Sequence, residues 1–203
     1  MARRVLHDPY FKKAKEEGYL ARSAFKLQQI NQNKRLIRRG DRVLDLGCAP
    51  GAWLQVASEL VGPKGTVVGI DLKPVTAQLA ANITHRVGDV ESIDPTELLA
   101  LGSPVPRMYD VVLSDMAPNT TGHGDDLVSA RLCDAVLALV PAVLKPTGHL
   151  VMKILEGAET PRILKQLRRG FVQAGAHKPD ASRDVSRETY LFGLGWTGSP
   201  RAD

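Results

Sequence analysis

From residue 42 onwards, short apolar runs alternate with helix-like stretches, and that rhythm leaves few architectures open. Arg42–Leu46 reads as a strand and Ala52–Val61 as a helix. Thr66–Asp71 is a second strand, entered from the turn Gly62-Pro63-Lys64-Gly65, and Ile83–Val87 is a weaker third. Asp94 and Pro95 carry the cap and first-position signals of a short helix through residue 101. Tyr109–Ser114 is a fourth strand. Residues 125–144 form a long helix with Val128, Leu132, Val136, Leu139 and Val143 on one face, although Pro141 conflicts with its last turn. Pro146-Thr147-Gly148 stops it. Residues 149–154 make a fifth strand and 160–169 a helix, and then Phe171–His177 and Glu188–Trp196 follow as two strands with no helix between. Alternation predicts a parallel sheet covered on both faces. The final pair predicts an antiparallel hairpin. Upstream, residues 8–38 read as helical and Gly40-Asp41 as a turn.

A chain of 203 residues, 43% hydrophobic and 24% charged, fits one globular α/β domain. At this size about 70% of the unfolded chain's surface can be buried, so no disulfide framework is needed. Cys48 and Cys133 show neither CxxC nor metal-ligand spacing, so no metal is expected and a reducing, cytoplasmic setting is. No apolar run approaches the ~18 residues of a membrane span. Residues 1–13 are basic but lack the apolar core of a signal peptide.

Charge is uneven. Residues 1–42 hold 12 Lys+Arg against 4 Asp+Glu, whereas residues 43–203 hold 15 against 18. A basic first fifth on a mildly acidic body suits a polyanion-binding arm, and suits a solvated basic helix equally well.

The sharpest motif is Asp45-Leu46-Gly47-Cys48-Ala49-Pro50-Gly51-Ala52-Trp53, which leaves a strand and opens a helix. Open α/β sheets bind ligands at such a place. Gly47 and Gly51 let backbone approach a ligand, and the helix N-terminus adds free N–H groups. A dinucleotide fingerprint would require a second glycine where Ala49 stands. Asp71 closes the second strand at the position suited to a ribose diol. Asp89, in Val87-Gly88-Asp89-Val90, follows the third and is placed for an adenine. These acids favour a cationic ligand over a pyrophosphate. Trp53 either lines the pocket or belongs to the core.

Four further polar residues fall where the sheet's carboxyl edge is expected: Lys26, Asp115 in Ser114-Asp115-Met116-Ala117-Pro118-Asn119, Lys153 in Val151-Met152-Lys153-Ile154, and Glu188. A lysine inside an apolar strand needs a partner or a path to solvent. A carboxylate ending the neighbouring strand is a candidate partner.

Taken together these motifs resemble the FtsJ-type (RrmJ-like) ribosomal RNA large-subunit ribose 2′-O-methyltransferases. The resemblance spans residues 8–195 and rests on Ser23-Ala24-Phe25-Lys26, the Asp45 loop, Ser114–Asn119, Lys153, and the Lys178–Glu188 stretch that includes Ala181-Ser182-Arg183 and Ser186-Arg187-Glu188. Ala52 departs from the glycine usual in the family. The resemblance implies a Rossmann-like class I methyltransferase fold: a mostly parallel seven-stranded sheet with the C-terminal hairpin and helices on both faces. It implies S-adenosyl-L-methionine as cofactor, held by Asp45, Gly47, Ala49, Pro50, Gly51, Trp53, Asp71, Leu72, Asp89, Val90 and Asp115. It further implies a Lys26-Asp115-Lys153-Glu188 tetrad, with Lys153 as general base toward a ribose 2′-hydroxyl, of a uridine in large-subunit ribosomal RNA. The chain is then one domain, a monomer, whose residues 1–41 contact RNA through Arg3, Arg4, Lys12, Lys13, Arg22, Lys34, Arg35 and Arg38. Three rival readings are weighed against it. A nicotinamide-dependent oxidoreductase is disfavoured by Ala49, and a non-catalytic RNA binder by the complete tetrad. Methylation of transfer RNA or an mRNA cap keeps the chemistry and changes the substrate.

Overall fold

A computed structural model describes residues 9–118, 124–182 and 186–200. Arg3, Arg4, Asn119 and Arg183 of the motifs above lie outside the described residues. Two helices open the chain, α1 (Pro9–Glu16) and α2 (Ala24–Lys34). The expectation of one helical stretch over 8–38 therefore needs correction. Gly18, at φ 78°, breaks it after α1, and Arg35 at φ 53° caps α2.

The body follows the expected alternation: β1 (Arg42–Leu46), α3 (Ala52–Val61), β2 (Thr66–Asp71), β3 (Ile83–Val87), α4 (Pro95–Ala100), β4 (Tyr109–Ser114), α5 (Asp125–Val143), β5 (Leu144–Leu155), α6 (Thr160–Gly170), β6 (Phe171–His177) and β7 (Glu188–Trp196). The Asp94 carboxylate caps α4 by accepting from the Thr96 N–H at 2.8 Å. The fifth strand starts earlier than the Pro-Thr-Gly stop signal suggests. Leu144 already pairs with Tyr109, and the register shifts between Tyr109 and Val111 absorb the interruption.

The seven strands are ordered β3-β2-β1-β4-β5-β7-β6. β1 through β5 run parallel, while β7 lies antiparallel between β5 and β6. Side chains alternate between the faces as the strand period requires. Leu44, Leu46, Val112, Met152 and Leu191 pack under α4, α5 and α6. Val43, Leu113, Val151, Tyr190 and Phe192 pack under α2 and α3 on the other side. Both faces are thereby covered, and the carboxyl ends of β1, β2 and β4 open on one crevice.

Candidate active site

The crevice begins at the end of β1. Gly47 turns the chain at φ 80°, and a Cβ there would lie 2.4 Å from Cγ of Met116. No side chain fits, so the backbone forms the floor. Asp71, ending β2, locks the loop: its Oδ2 accepts the Ala49 N–H at 2.9 Å and its Oδ1 the Lys73 N–H at 2.8 Å. Asp89, after β3, accepts the Glu91 N–H at 2.9 Å. The resulting cleft, about 520 Å³, is lined by Gly47, Ala49, Asp71, Leu72, Asp89, Val90 and Asp115 among the residues expected to hold a cofactor. It is also lined by Met116, Val128 and Arg131, none of which the sequence marks as a cofactor residue.

Four expected cofactor residues of the same loop, Asp45, Pro50, Gly51 and Trp53, are not among the residues that line the cleft. Pro50 is exposed beside the cleft. Gly51 caps α3 at φ 113°, where a Cβ would press on Leu20 at 3.0 Å and Val75 at 3.1 Å. Trp53 is 2% exposed and donates its indole N–H to the Ser23 carbonyl at 2.8 Å, which makes it core. Asp45 is fully buried, and neither carboxylate oxygen has a hydrogen-bond partner. Burial, then Asp115 and Asp71, push its carboxyl well above the ordinary carboxylate range. An orphaned buried acid at the crevice suits a ligand that brings positive charge, which is the fit expected for an ammonium and a sulfonium.

Beside the cleft the tetrad assembles as two ion pairs. Lys26 Nζ, from α2, meets Glu188 Oε2 at 2.8 Å. Lys153 Nζ, from β5, lies 3.1 Å from Asp115 Oδ1 and donates to the Asp115 carbonyl at 2.6 Å. Both lysine side chains are 6% exposed. The register explains why these residues converge. Lys153 faces Tyr190 and Leu155 faces Glu188 across the antiparallel β5–β7 pair. Lys153, Tyr190 and Glu188 thus share the face covered by α2, and α2 delivers Lys26 to it. Burial alone would raise the Glu188 carboxyl, but Lys26 and Lys153 outweigh it and hold the group below its ordinary value. Glu188 is therefore an anion at neutral pH.

Tyr190 was not anticipated. Its hydroxyl donates to Asp115 Oδ1 at 2.7 Å, its ring lies 5.7 Å from Trp53, and Lys26 Nζ sits 5.8 Å from the ring centroid. Burial and then Asp115 raise the phenol well above its ordinary value, so it stays a neutral donor. Its position two residues after Glu188, on the same strand face, is the signal that would have found it.

The family model for FtsJ-like methyltransferases matches residues 19–196. The chain belongs to the FtsJ-like methyltransferase family. Two curated relatives, each called Ribosomal RNA large subunit methyltransferase E, are 45% identical. The one from Desulforapulum autotrophicum matches over 93% of this chain and 92% of its own. The one from Syntrophobacter fumaroxidans matches over 94% and 96%. Among solved structures, a ribosomal RNA methyltransferase from Plasmodium falciparum superposes with a TM-score of 0.77 at 25% identity, over 89% of this chain and all of that one. Fibrillarin from Aeropyrum pernix, solved with natively bound S-adenosyl-L-methionine, shares the fold with a TM-score of 0.63 at 20% identity, over 85% of this chain and 73% of that one. In this FtsJ-like chain no described helix is long and apolar enough to cross a membrane.

The expected RNA-facing residues are scattered over the N-terminal helices. Lys12 and Lys13 are exposed and pair at 3.7 Å with Glu16 and Glu17 along α1. Lys34 lies 4.2 Å from the Phe192 ring centroid, and Arg22 donates to the Ala181 carbonyl at 3.1 Å. Arg35 and Arg38 are exposed at the end of α2 and beyond it.

Proposed function

We propose that this FtsJ-like methyltransferase moves a methyl group from S-adenosyl-L-methionine to a ribose 2′-hydroxyl, that of a uridine, in large-subunit ribosomal RNA. One observation supports the reading above the others: a buried lysine paired with a carboxylate stands at the lip of an acid-walled cleft. Asp71 and Asp89 serve the ribose and adenine of the donor, while Asp45 and Asp115 answer its positive charges. Bound there, the donor supplies a methyl group already activated by a sulfonium.

The chain's own part is alignment and proton transfer. Lys153 Nζ acts as general base. A neutral amine has two N–H bonds, and two acceptors are in place, the carbonyl and Oδ1 of Asp115. The remaining lone pair is then free to face the ribose hydroxyl. As the O–H bond breaks, the proton passes to Nζ, the new O–C bond forms and the old S–C bond is lost. Asp115 then steadies the ammonium. Lys26 and Glu188 position the target nucleotide and keep charge balanced around Lys153.

The basic residues of 1–41 hold RNA phosphates, and a 2′-hydroxyl target makes the substrate RNA rather than DNA. The whole chain acts as one domain, a monomer, in the cytoplasm. Tritium-methyl transfer to large ribosomal subunits that lack the modification, followed by mapping of the labelled nucleotide, tests the assignment. Label on the base, or label only on transfer RNA or capped RNA, would overturn it.

A further inference from the structure

Asp45 is the one described acid with both carboxylate oxygens buried and unbonded. Its flanking residues in the sheet are Gly69 on β2 and Leu113 on β4, which offer no side-chain donor. The space over Gly69 is filled by Cys48 and Leu54. The loop's own N–H groups are committed elsewhere: Gly47 and Cys48 donate to the Ile70 carbonyl, and Ala49 to Asp71.

The charges around Asp45 do not help it ionise. β2 contributes Asp71 and β4 leads to Asp115, both acids acting on it. The loop contributes the Cys48 thiol, itself pushed up by burial and by Asp45. The two buried lysines of the site, Lys153 of β5 and Lys26 of α2, are held by Asp115 and Glu188. A buried charge without a partner takes up a proton instead.

We propose that Asp45 is protonated while the cleft is empty and ionises when the cationic donor enters, so that donor binding releases a proton. The inference rests on the donor reading above. Asp45 then works as a charge that exists only in the loaded site. A ligand of the same shape without positive charge meets a neutral acid and gains nothing from it. The expected consequence is an affinity that tightens with rising pH, by up to about tenfold per unit while Asp45 is protonated in the free protein.

Titration calorimetry of the full chain with S-adenosyl-L-methionine tests this at about pH 6.5, in two buffers of contrasting protonation enthalpy. There the ligand's own α-amino group, which titrates near ~7.7–8.0, contributes only slight proton uptake, opposite in sign. Wild type is expected to release most of one proton, and Asp45→Asn none. Binding heats that are identical in both buffers for wild type would overturn the proposal, as would undiminished release by Asp45→Asn. Complete absence of binding would instead remove the donor reading beneath it. Infrared difference spectra of wild type give a check that needs no variant: the band of a protonated carboxyl must be present in the free protein and vanish in the complex.

Discussion

The Tyr190 hydroxyl and the Asp115 carboxylate are joined at 2.7 Å. The oxygen involved is the one that Lys153 Nζ approaches to 3.1 Å. Tyr190 therefore sets where Asp115 points, and through it where the amine points. A hydrogen bond to a charged group is worth about 1.5–3 kcal/mol. Tyr190→Phe keeps the ring against Trp53 and removes only that bond. It is expected to lower kcat about tenfold while leaving donor affinity unchanged. An unaltered kcat in steady-state methyl transfer would show that Asp115 needs no such support.

Lys153 is tested by two substitutions that separate charge from basicity. Lys153→Met should cut turnover by a factor of about 10²–10⁴, the usual contribution of a general base, with donor binding retained. Lys153→Arg keeps a cation beside Asp115 but cannot surrender its proton at neutral pH. It should fail nearly as badly. If the arginine variant turns over at close to the wild-type rate, the residue holds charge and takes no proton.

Much of this arrangement was legible in the chain. Strand and helix alternation depends on local period, so β1 to β7 fall where apolar spacing puts them. The tetrad could be picked out because Lys153 interrupts an apolar strand, while Asp115 and Glu188 sit at strand ends where the sheet's carboxyl edge is expected. What sequence hid was depth. Asp45, Gly51 and Trp53 stand in the same motif as Gly47 and Ala49, yet Asp45 and Trp53 are buried and Gly51 packs against Leu20 and Val75, which only the tertiary structure decides. Tyr190 escaped because an aromatic in a buried strand reads as core until its hydroxyl is seen to have a partner. The early start of β5 at Leu144 escaped because Pro146 and Gly148 signal a turn, and tertiary pairing with Tyr109 overrides them.

Asp45 also links stability to pH. Its folded-state carboxyl titrates above the ~3.9 of an unfolded chain. Its contribution is fully present below that unfolded value and is lost as pH rises through the folded one. The donor-free wild type should therefore lose ground to Asp45→Asn as pH rises from about 4 toward neutrality. Thermal melts across that range check it. A wild-type melting temperature that does not fall relative to that of Asp45→Asn as pH rises would mean Asp45 is already ionised.

Arg42 anchors the amino end of β1, opposite the crevice. It is 3% exposed, and its guanidinium donates to the carbonyls of Leu99, Leu101 and Arg107 while lying 4.4 Å from the Tyr109 ring centroid. Among the described residues no carboxylate shares these guanidinium contacts, so the cation completes the end of α4. Removing it leaves three partly buried carbonyls without their donor, at up to about 1–3 kcal/mol for a group that water cannot reach. Arg42→Met is expected to lower unfolding stability by about 2–4 kcal/mol in urea titrations. Arg42→Lys should recover little of this, since one ammonium cannot span three acceptors held by a planar fork. A lysine variant as stable as wild type would show that charge alone suffices there.

The basic surface is tested by salt. Each lysine or arginine that neutralises a phosphate steepens the dependence of log affinity on log salt by about 0.7 on single strands and 0.9 on duplex. Lys34 and Arg38 lie toward the end of α2 and beyond it, away from the tetrad's ion pairs, so replacing them leaves the chemistry intact. Lys34→Ala and Arg38→Ala should each weaken binding to ribosomal RNA and flatten the salt slope by about one such increment, with kcat at saturating RNA unchanged. Lys12 and Lys13 are already countered by Glu16 and Glu17 along α1, so their alanine variants should lose less. Slopes that match wild type in all four variants would move the RNA to another face of the protein.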